Sequence, residues 1–184
     1  LERERIAHAN LIRRAFGRRM SRASSRCFER TWSQTRSQIL KSVALYVGDA
    51  LGRYGFPQGH PFGPDRQNAF WAQTRAQGLD RRVQLRDPVL ARRAELERFC
   101  EPEFVDFVAE RSERGIGFFD YGDTPVFRGA FEAISHVAGS ALDGLRQIMD
   151  GKVRRASQPI GGLHHARRDA AAGFCVFNDT GIVI

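Results

Sequence analysis

The residues best suited to chemistry lie near the end of the sequence. Two adjacent histidines, His164 and His165, follow the glycine pair at residues 161–162, and the segment at residues 173–179 (GFCVFND) comes shortly after them. Imidazole titrates near neutral pH, so one ring can accept a proton from water while the other gives a proton to a leaving amine. The pair therefore indicates acid–base hydrolysis of an amide, although two histidines alone are also typical of a solvated loop or a hydrogen-bonded core.

Three short apolar runs, bounded by turn residues, predict the strands that must position this segment. They cover residues 42–47, 82–85 and 154–160. Because helical periodicity separates them, the sequence predicts an α/β fold with a parallel sheet. Ligands bind beyond the carboxyl ends of the strands in open sheets of this kind, and the third strand leads directly into the glycine pair. The histidines are therefore expected at the carboxyl edge of the sheet.

Apolar spacing and helix start and stop signals predict two helices in the first part of this region. The first covers residues 65–77 and carries Phe70 and Trp71 on its apolar face. The second covers residues 102–115, beginning at a proline and ending at a glycine.

The later part of the sequence predicts one long helical region and one incomplete element. Apolar residues recur at helical spacing over residues 127–148, and Gly139 and Gly144 are expected to interrupt that helix. Asn178 and Asp179 are typical of a helix cap, and the apolar residues 180–184 follow them. Since the sequence stops within this apolar segment, we expect a domain that is cut on its C-terminal side.

The net charge of +8 is concentrated in one segment. Residues 1–40 contain ten Arg and three Glu, whereas the remaining residues are close to neutral, with nineteen Lys and Arg against eighteen Asp and Glu. We predict that residues 1–40 form a basic leader that is disordered or non-native, with a transit peptide or a nucleic-acid-binding arm as alternatives. Residues 41–184 are predicted to form the folded part.

Composition excludes several classes of protein. No run of apolar residues approaches the length of a membrane span, so no membrane partner is expected. Three cysteines, far apart and odd in number, do not make a disulfide framework, which favours a reducing cytoplasm. The near-neutral folded part gives no electrostatic reason to expect a nucleic acid as partner.

The segments around the histidine pair closely resemble the active-site segment of the zinc-dependent histone deacetylase family. The resemblance rests on residues 161–166 (GGLHHA) and 173–179 (GFCVFND), with further support from residues 123–129 (DTPVFRG) and from the His60-Pro61 loop with Arg66. This family includes bacterial acetoin-utilisation deacetylases and acetylpolyamine amidohydrolases. The resemblance extends over about residues 42–184 and implies an arginase/deacetylase-like parallel-sheet fold, truncated after its first part.

The resemblance implies a role for each matching residue. His164 would hydrogen-bond a metal-bound water, and His165 would act as general base and then as general acid. Gly173 and Phe174 would form one wall of a narrow tunnel that admits an acyl-lysine or a similar arm. Asp169 is predicted to fix the loop after the histidine pair.

Two further residues match positions that contact the substrate in this family. Asp123 would grip the substrate backbone, and Arg66 would lie near the inner end of the tunnel. By residue type alone, Asp123 could instead cap a helix, Arg66 could lie on a helix surface, and Phe174 could belong to the core. His60, before a proline, is predicted to fix its loop rather than to bind a ligand.

The resemblance also implies a catalytic Zn²⁺ in the intact enzyme. Relatives supply its ligands from an Asp-x-His pair and a later Asp, and the sequence ends before any such pair, so the ligands are expected beyond Ile184. His8, His60 and His136 lie in unrelated contexts without metal-ligand spacing. We therefore expect no metal ligands in this sequence and no activity from residues 1–184 alone.

The function predicted is that of the N-terminal part of a zinc-dependent deacetylase acting on acetyl-lysine or another acylated amine. An acetylpolyamine or small-molecule amidohydrolase is the alternative within the same chemistry. A catalytically inactive scaffold, or a nucleic-acid-binding module that uses the basic leader, are the more remote alternatives. The sequence does not determine the oligomeric state.

Overall fold

A computed structural model describes residues 42–56 and 59–184. The predictions made for residues 1–40 lie outside the described residues. In chain order the elements are β1 (Val43–Tyr46), α1 (Asp49–Gly52), α2 (Arg66–Ala76), a 3-10 turn (Leu79–Arg82), β2 (Gln84–Arg86), α3 (Arg93–Leu96), α4 (Pro102–Arg114), α5 (Ala130–Met149), β3 (Arg155–Ser157) and α6 (Asp179–Val183).

The sheet has three parallel strands with β1 in the middle, in the order β2-β1-β3. In its register, Leu45 lies opposite Leu85 on one side and Ser157 on the other. The predicted α/β fold with a parallel sheet is therefore confirmed. Strand β3 is shorter than the predicted run 154–160; Pro159, two residues after its end, has no N–H to donate to a ladder.

Helix α5 is continuous over twenty residues, so the predicted interruption at Gly139 and Gly144 is wrong. Both glycines permit close packing instead. A Cβ atom at Gly139 would overlap Val89 O and Ala91 N in the segment that crosses the helix, and a Cβ at Gly144 would lie 2.8 Å from the Cβ of Ala156. The backbone of this segment bonds to α5 through Val89 N, Ala91 N and two serines, so its distance from the helix is fixed.

We predict that Gly139→Ala destabilises the protein although alanine is the better helix former. Because the overlap is with the backbone atoms Val89 O and Ala91 N, it should cost about 3 kcal/mol, the upper end of the usual range for overpacking. This exceeds the roughly 1 kcal/mol that alanine gains over glycine inside a helix. Denaturant unfolding measures the difference. Gly144→Ala is the matched control and should cost less, because it meets a side-chain methyl group rather than backbone. Equal or greater stability of Gly139→Ala would contradict this packing.

Helix α2 occurs where predicted, but its predicted apolar face is wrong. Phe70 is 39% exposed and Trp71 is only partly buried, while the buried residues are Gln67 and Thr74. The Gln67 amide donates to Gly48 O at 2.8 Å and accepts from Gly48 N at 3.4 Å. The helix is thus held to the end of β1 by polar contacts.

The two longest helices, α4 and α5, occur close to where the sequence predicts them. Helix α4 begins at Pro102 and ends before Gly115, as predicted, and buries Phe104, Val105 and Val108. Helix α5 packs against α4, α6 and β3, and its inner face forms the centre of the core. No helix among the described residues is long and apolar enough to cross a membrane.

Candidate active site

The histidine pair lies in the loop that follows β3, at the carboxyl edge of the sheet, as the sequence predicts. Both side chains are exposed, and their ring centroids are 4.3 Å apart. His164 Nδ1 lies 2.8 Å from Gly162 O. Because a carbonyl oxygen can only accept, this contact places the hydrogen on Nδ1 and leaves Nε2 of a neutral ring free to accept a proton.

A buried carboxylate holds the backbone that leads into the pair. Asp179 is 5% exposed and accepts hydrogen bonds from Gly162 N at 2.9 Å and from Leu163 N at 2.7 Å. It also accepts from Thr180 N at 3.0 Å, at the start of α6. One side chain therefore fixes the histidine loop to the first turn of α6.

Asn178 gives the same loop a second attachment. Its Oδ1 accepts from Gly181 N at 2.8 Å and caps α6, as predicted, while its Nδ2 donates to Ala166 O at 2.9 Å and to His164 O at 3.3 Å. The predicted role of Asp169 in fixing this loop is wrong, because its side chain is exposed and Asn178 and Asp179 make the bonds. The sequence predicts that Asp179 shares the helix cap, but Asn178 is the cap residue, and the Asp179 carboxylate instead bonds the backbone of the histidine loop.

The residues predicted as a tunnel wall lie directly beside His165. A Cβ at Gly173 would be only 3.4 Å from His165 Cγ, and Gly173 has φ +54°, a conformation that glycine adopts without strain. Phe174 has φ +68° and is the one non-glycine residue with positive φ in the described ranges. A strained backbone of this kind persists only where its surroundings hold it, and it is typical of functional sites.

Two side chains hold the backbone of Phe174 in that conformation. Thr124 Oγ1 accepts from Phe174 N at 3.1 Å, and the Tyr54 hydroxyl donates to Phe174 O at 2.5 Å. Tyr54 is fully buried, and burial raises the pKa of its hydroxyl well above the usual range. The hydroxyl therefore stays protonated and able to donate at any physiological pH.

The Phe174 ring packs in an aromatic cluster built by the loop after β1. The ring centroid of His60 lies 4.6 Å from that of Phe174 and 4.8 Å from that of Phe56. His60 Nδ1 accepts from Phe62 N at 3.0 Å, so His60 fixes its own loop, as predicted. Phe174 is only partly buried against this cluster, so part of the residue is accessible to solvent.

Arg66 is the first residue of α2, yet its guanidinium points inward rather than lying on the helix surface. Its Cζ lies 3.2 Å from the centroid of the Phe62 ring, and Phe62 in turn packs near Phe174, with ring centroids 6.1 Å apart. Burial lowers the pKa of the guanidinium. Two of its nitrogens, Nε and Nη2, are buried and have no hydrogen-bond partner among the described residues.

Asp123 is exposed in a tight turn beside the wall residue. The turn is organised by Asp120, whose Oδ1 accepts from the N–H groups of Gly122, Asp123 and Thr124. Asp123 does not cap a helix, since α5 begins only at Ala130. Because Thr124 also bonds Phe174, this turn connects Asp123 to the wall.

Three supporting residues were missed by sequence reasoning: Tyr54, Asp120 and Thr124. Tyr54 is separated by 120 positions from the carbonyl it bonds, and Thr124 by 50 from its partner N–H. Such pairs leave no local signal. Asp120 could have been found, because an aspartate shortly before a glycine is typical of an Asx turn.

Cys175 lies behind the wall as a small buried side chain, as its residue type suggests. Burial raises its pKa, which the N–H groups of His165 and Ala166 oppose. The described residues contain no group of three His, Cys, Asp or Glu side chains that could hold a metal ion. The candidate site therefore consists of the exposed histidine pair, the partly exposed Phe174, the exposed carboxylate of Asp123 and the Arg66 guanidinium with its two buried nitrogens.

The fold and this site define a parallel α/β protein with an exposed histidine pair at the carboxyl edge of its sheet. The family described as "Histone deacetylase domain" matches residues 60–184, more than half of the chain. The chain therefore belongs to the histone deacetylase family, as its resemblance implied.

Curated relatives agree with this assignment. The chain is 32% identical over 149 residues to Histone deacetylase 6 of Arabidopsis thaliana, covering 76% of this chain and 32% of that protein. It is 31% identical over 147 residues to Histone deacetylase RPD3 of Saccharomyces cerevisiae, covering 76% and 34%. The chain thus spans about a third of the length of these relatives.

A solved structure shares the fold. The crystal structure of the HDA15 HD domain matches with a TM-score of 0.71 and 24% sequence identity, covering 78% of this chain and 42% of that one. At this level of identity the likeness supports the fold alone.

Proposed function

We propose that the chain is part of a deacetylase that hydrolyses acetyl-lysine or another acylated amine, with His164 and His165 as its acid–base pair. The observation that carries this proposal is the exposed pair itself. Its rings lie 4.3 Å apart, and its loop is fixed by a buried carboxylate. Family membership supports the same chemistry.

In the proposed reaction, His165 takes a proton from water as the water oxygen attacks the acyl carbon. His164, whose Nδ1 is bound to Gly162 O, orients the water through Nε2. When the C–N bond breaks, the protonated His165 gives its proton to the leaving amine. Water and amide are thereby converted into a carboxylic acid and an amine, and the histidine returns to its starting state.

The zinc implied by the family does not fit the described residues alone, since they contain no set of three potential ligands. Gly173 and Phe174 are proposed to line the path of the substrate arm. A partly exposed ring suits the methylene groups of a lysine side chain.

Arg66 is proposed to bind the acid product. A buried guanidinium with two unpaired nitrogens can donate two hydrogen bonds to a carboxylate such as acetate. The contact of the Arg66 guanidinium with the Phe62 ring, which lies near the Phe174 ring, supports a position for Arg66 close to the proposed substrate path.

Asp123 is proposed to accept hydrogen bonds from the backbone N–H groups of a peptide substrate. We predict that Asp123→Ala lowers kcat/KM for an acetyl-lysine peptide by about ten- to a hundredfold, as expected for hydrogen bonds to a charged acceptor. Steady-state kinetics on the protein as its gene encodes it would measure this. Glu113→Ala, an exposed carboxylate on α4, is the matched control and should have no effect.

The same variant separates the protein deacetylase from the small-molecule alternative. An acetylated polyamine has no peptide backbone, so Asp123→Ala should hydrolyse it as fast as the wild type does. If the peptide is also hydrolysed at the wild-type rate, Asp123 does not bind the substrate backbone. If neither substrate releases acetate with the wild type, the proposed function is wrong.

A further inference from the structure

A groove lies next to the Asp123 turn, since Asp120 and Tyr121 are among the residues that line it. It has a volume of about 550 Å³ and runs between one side of α4, residues 118–121 and residues 169–171. We call it the aromatic groove, because five aromatic side chains line it: Phe104, Phe107, Phe118, Phe119 and Tyr121. Phe118 is 45% exposed and Tyr121 is fully exposed, so ring surface is available to a ligand.

The charged side chains of the aromatic groove are mainly acidic. Four carboxylates line it, against one cation, Arg111. The Glu101 carboxylate forms an ion pair with Arg168, with Oε1 3.5 Å from Nε. The Asp120 carboxylate accepts hydrogen bonds from the backbone of its own turn. Glu103 and Asp169 are exposed and make no hydrogen bond or ion pair with the described residues, so their charge is available.

The groove already shows how it can hold a cation. The guanidinium carbon of Arg111 lies 5.1 Å from the centroid of the Phe107 ring, within the range of a cation–π contact. Aromatic faces together with carboxylates attract Lys and Arg side chains through both the ring quadrupole and the charge. An acidic ligand would be repelled, and a neutral apolar one would gain nothing from Glu103 and Asp169.

The groove is connected to the proposed site through a single turn. Asp120 lines the groove, and its Oδ1 accepts from Asp123 N at 2.9 Å. Thr124, the next residue, bonds Phe174 N. A peptide held at Asp123 could therefore place a neighbouring residue in the groove.

We propose that the aromatic groove binds a Lys or Arg side chain of the substrate peptide, close in sequence to the acylated lysine. This inference rests on the proposed function for the identity of the ligand as an acyl-lysine peptide. The groove thereby selects among acylated peptides by the charge of their flanks. Glu103 and Asp169 supply the attraction, and Phe118 and Tyr121 supply the ring surface.

Peptide binding to the protein as its gene encodes it tests this proposal, in a His165→Ala background so that the peptide is not consumed. Three acetyl-lysine peptides are compared by fluorescence anisotropy, with flanking Arg, Ser or Glu. We expect the Arg peptide to bind about tenfold more tightly than the Ser peptide at low salt, with most of this advantage lost at high salt. The Glu peptide should bind most weakly.

The double variant Glu103→Gln/Asp169→Asn should reduce the advantage of the Arg peptide about three- to tenfold and leave the Ser peptide unchanged. Glu113→Gln, an exposed carboxylate of α4 outside the groove, is the control and should change neither. Equal binding of the three peptides, or an Arg advantage that survives the double variant, would overturn the proposal.

The outcome for the groove is independent of the outcome for the proposed function. Absence of acetate release by the wild type, together with charge-dependent binding, would refute the proposed function and retain the groove as a site for cationic peptides. Acetate release by the wild type, together with equal binding of the three peptides, would support the proposed function and refute the role of the groove. Phe118→Ala adds a second test. Loss of the Phe118 ring should weaken binding of the Arg peptide more than the control variant Ile116→Ala does.

Discussion

Replacing His165 with alanine should lower the rate of acetate release from an acetyl-lysine peptide by about a thousandfold. General acid–base catalysis by a positioned side chain contributes roughly 10²- to 10⁴-fold, and His165 is proposed to act in both proton transfers of the reaction. The effect should appear in kcat rather than in KM, because the imidazole acts on the reacting atoms and not on the substrate arm. Steady-state kinetics on the protein as its gene encodes it would measure it.

The fold should survive this change. His165 is exposed, and the described residues give its side chain no hydrogen bond, so thermal unfolding of His165→Ala should match that of the wild type. Arg167→Ala is the matched control, as an exposed side chain of the same loop, and it should retain full activity. His165→Ala protein that is folded and keeps more than about a tenth of the activity would rule out the proposed role.

Asp179→Ala should destabilise the protein by several kcal/mol and abolish activity. Its carboxylate accepts from three backbone N–H groups, those of Gly162, Leu163 and Thr180. A buried donor left without a partner costs about 1–3 kcal/mol. Three N–H groups lose their acceptor in this variant, so the summed cost should be a large part of the free energy of unfolding. Denaturant unfolding measures the loss.

Asp179→Asn keeps the prediction testable if the alanine variant does not fold. An amide retains one acceptor oxygen, so this variant should fold with a loss of about 1–2 kcal/mol and still lose about tenfold or more in kcat, because a small shift of the histidine loop misplaces the acid–base pair. Glu113→Gln is the control, as an exposed carboxylate of α4 outside the site and the groove, and it should change neither quantity. Wild-type stability of Asp179→Ala would show that the buried carboxylate does not hold the loop.

The sequence was sufficient for the order of strands and helices and for the place of the histidine pair. Alternation of apolar runs with helical stretches predicts a parallel sheet, because parallel strands need crossover connections, which usually contain a helix. The histidines then fall after β3 by position in the chain alone. The residue-by-residue resemblance located Gly173, Phe174, Arg66 and Asp123, which the structure places in or beside one site.

The sequence failed where tertiary contacts decide the role of a residue. Gly139 reads as a helix breaker from local propensity, but it permits the segment at Val89 to lie against α5. Phe70 reads as a core residue of α2, but the polar contact of Gln67 with Gly48 turns that helix so that Phe70 is exposed. Asp179 reads as a cap, and its contacts sixteen and seventeen positions away give no periodic signal.

The proposed deacetylation and its acid–base pair are tested most directly by the origin of the oxygen in the released acetate. Wild-type and Arg167→Ala protein, incubated with an acetyl-lysine peptide in heavy-oxygen water, should release acetate that carries one solvent oxygen, as hydrolysis requires. His165→Ala protein of equal thermal stability should release almost none. Acetate without solvent oxygen, or labelled acetate formed equally fast by His165→Ala, would contradict the account.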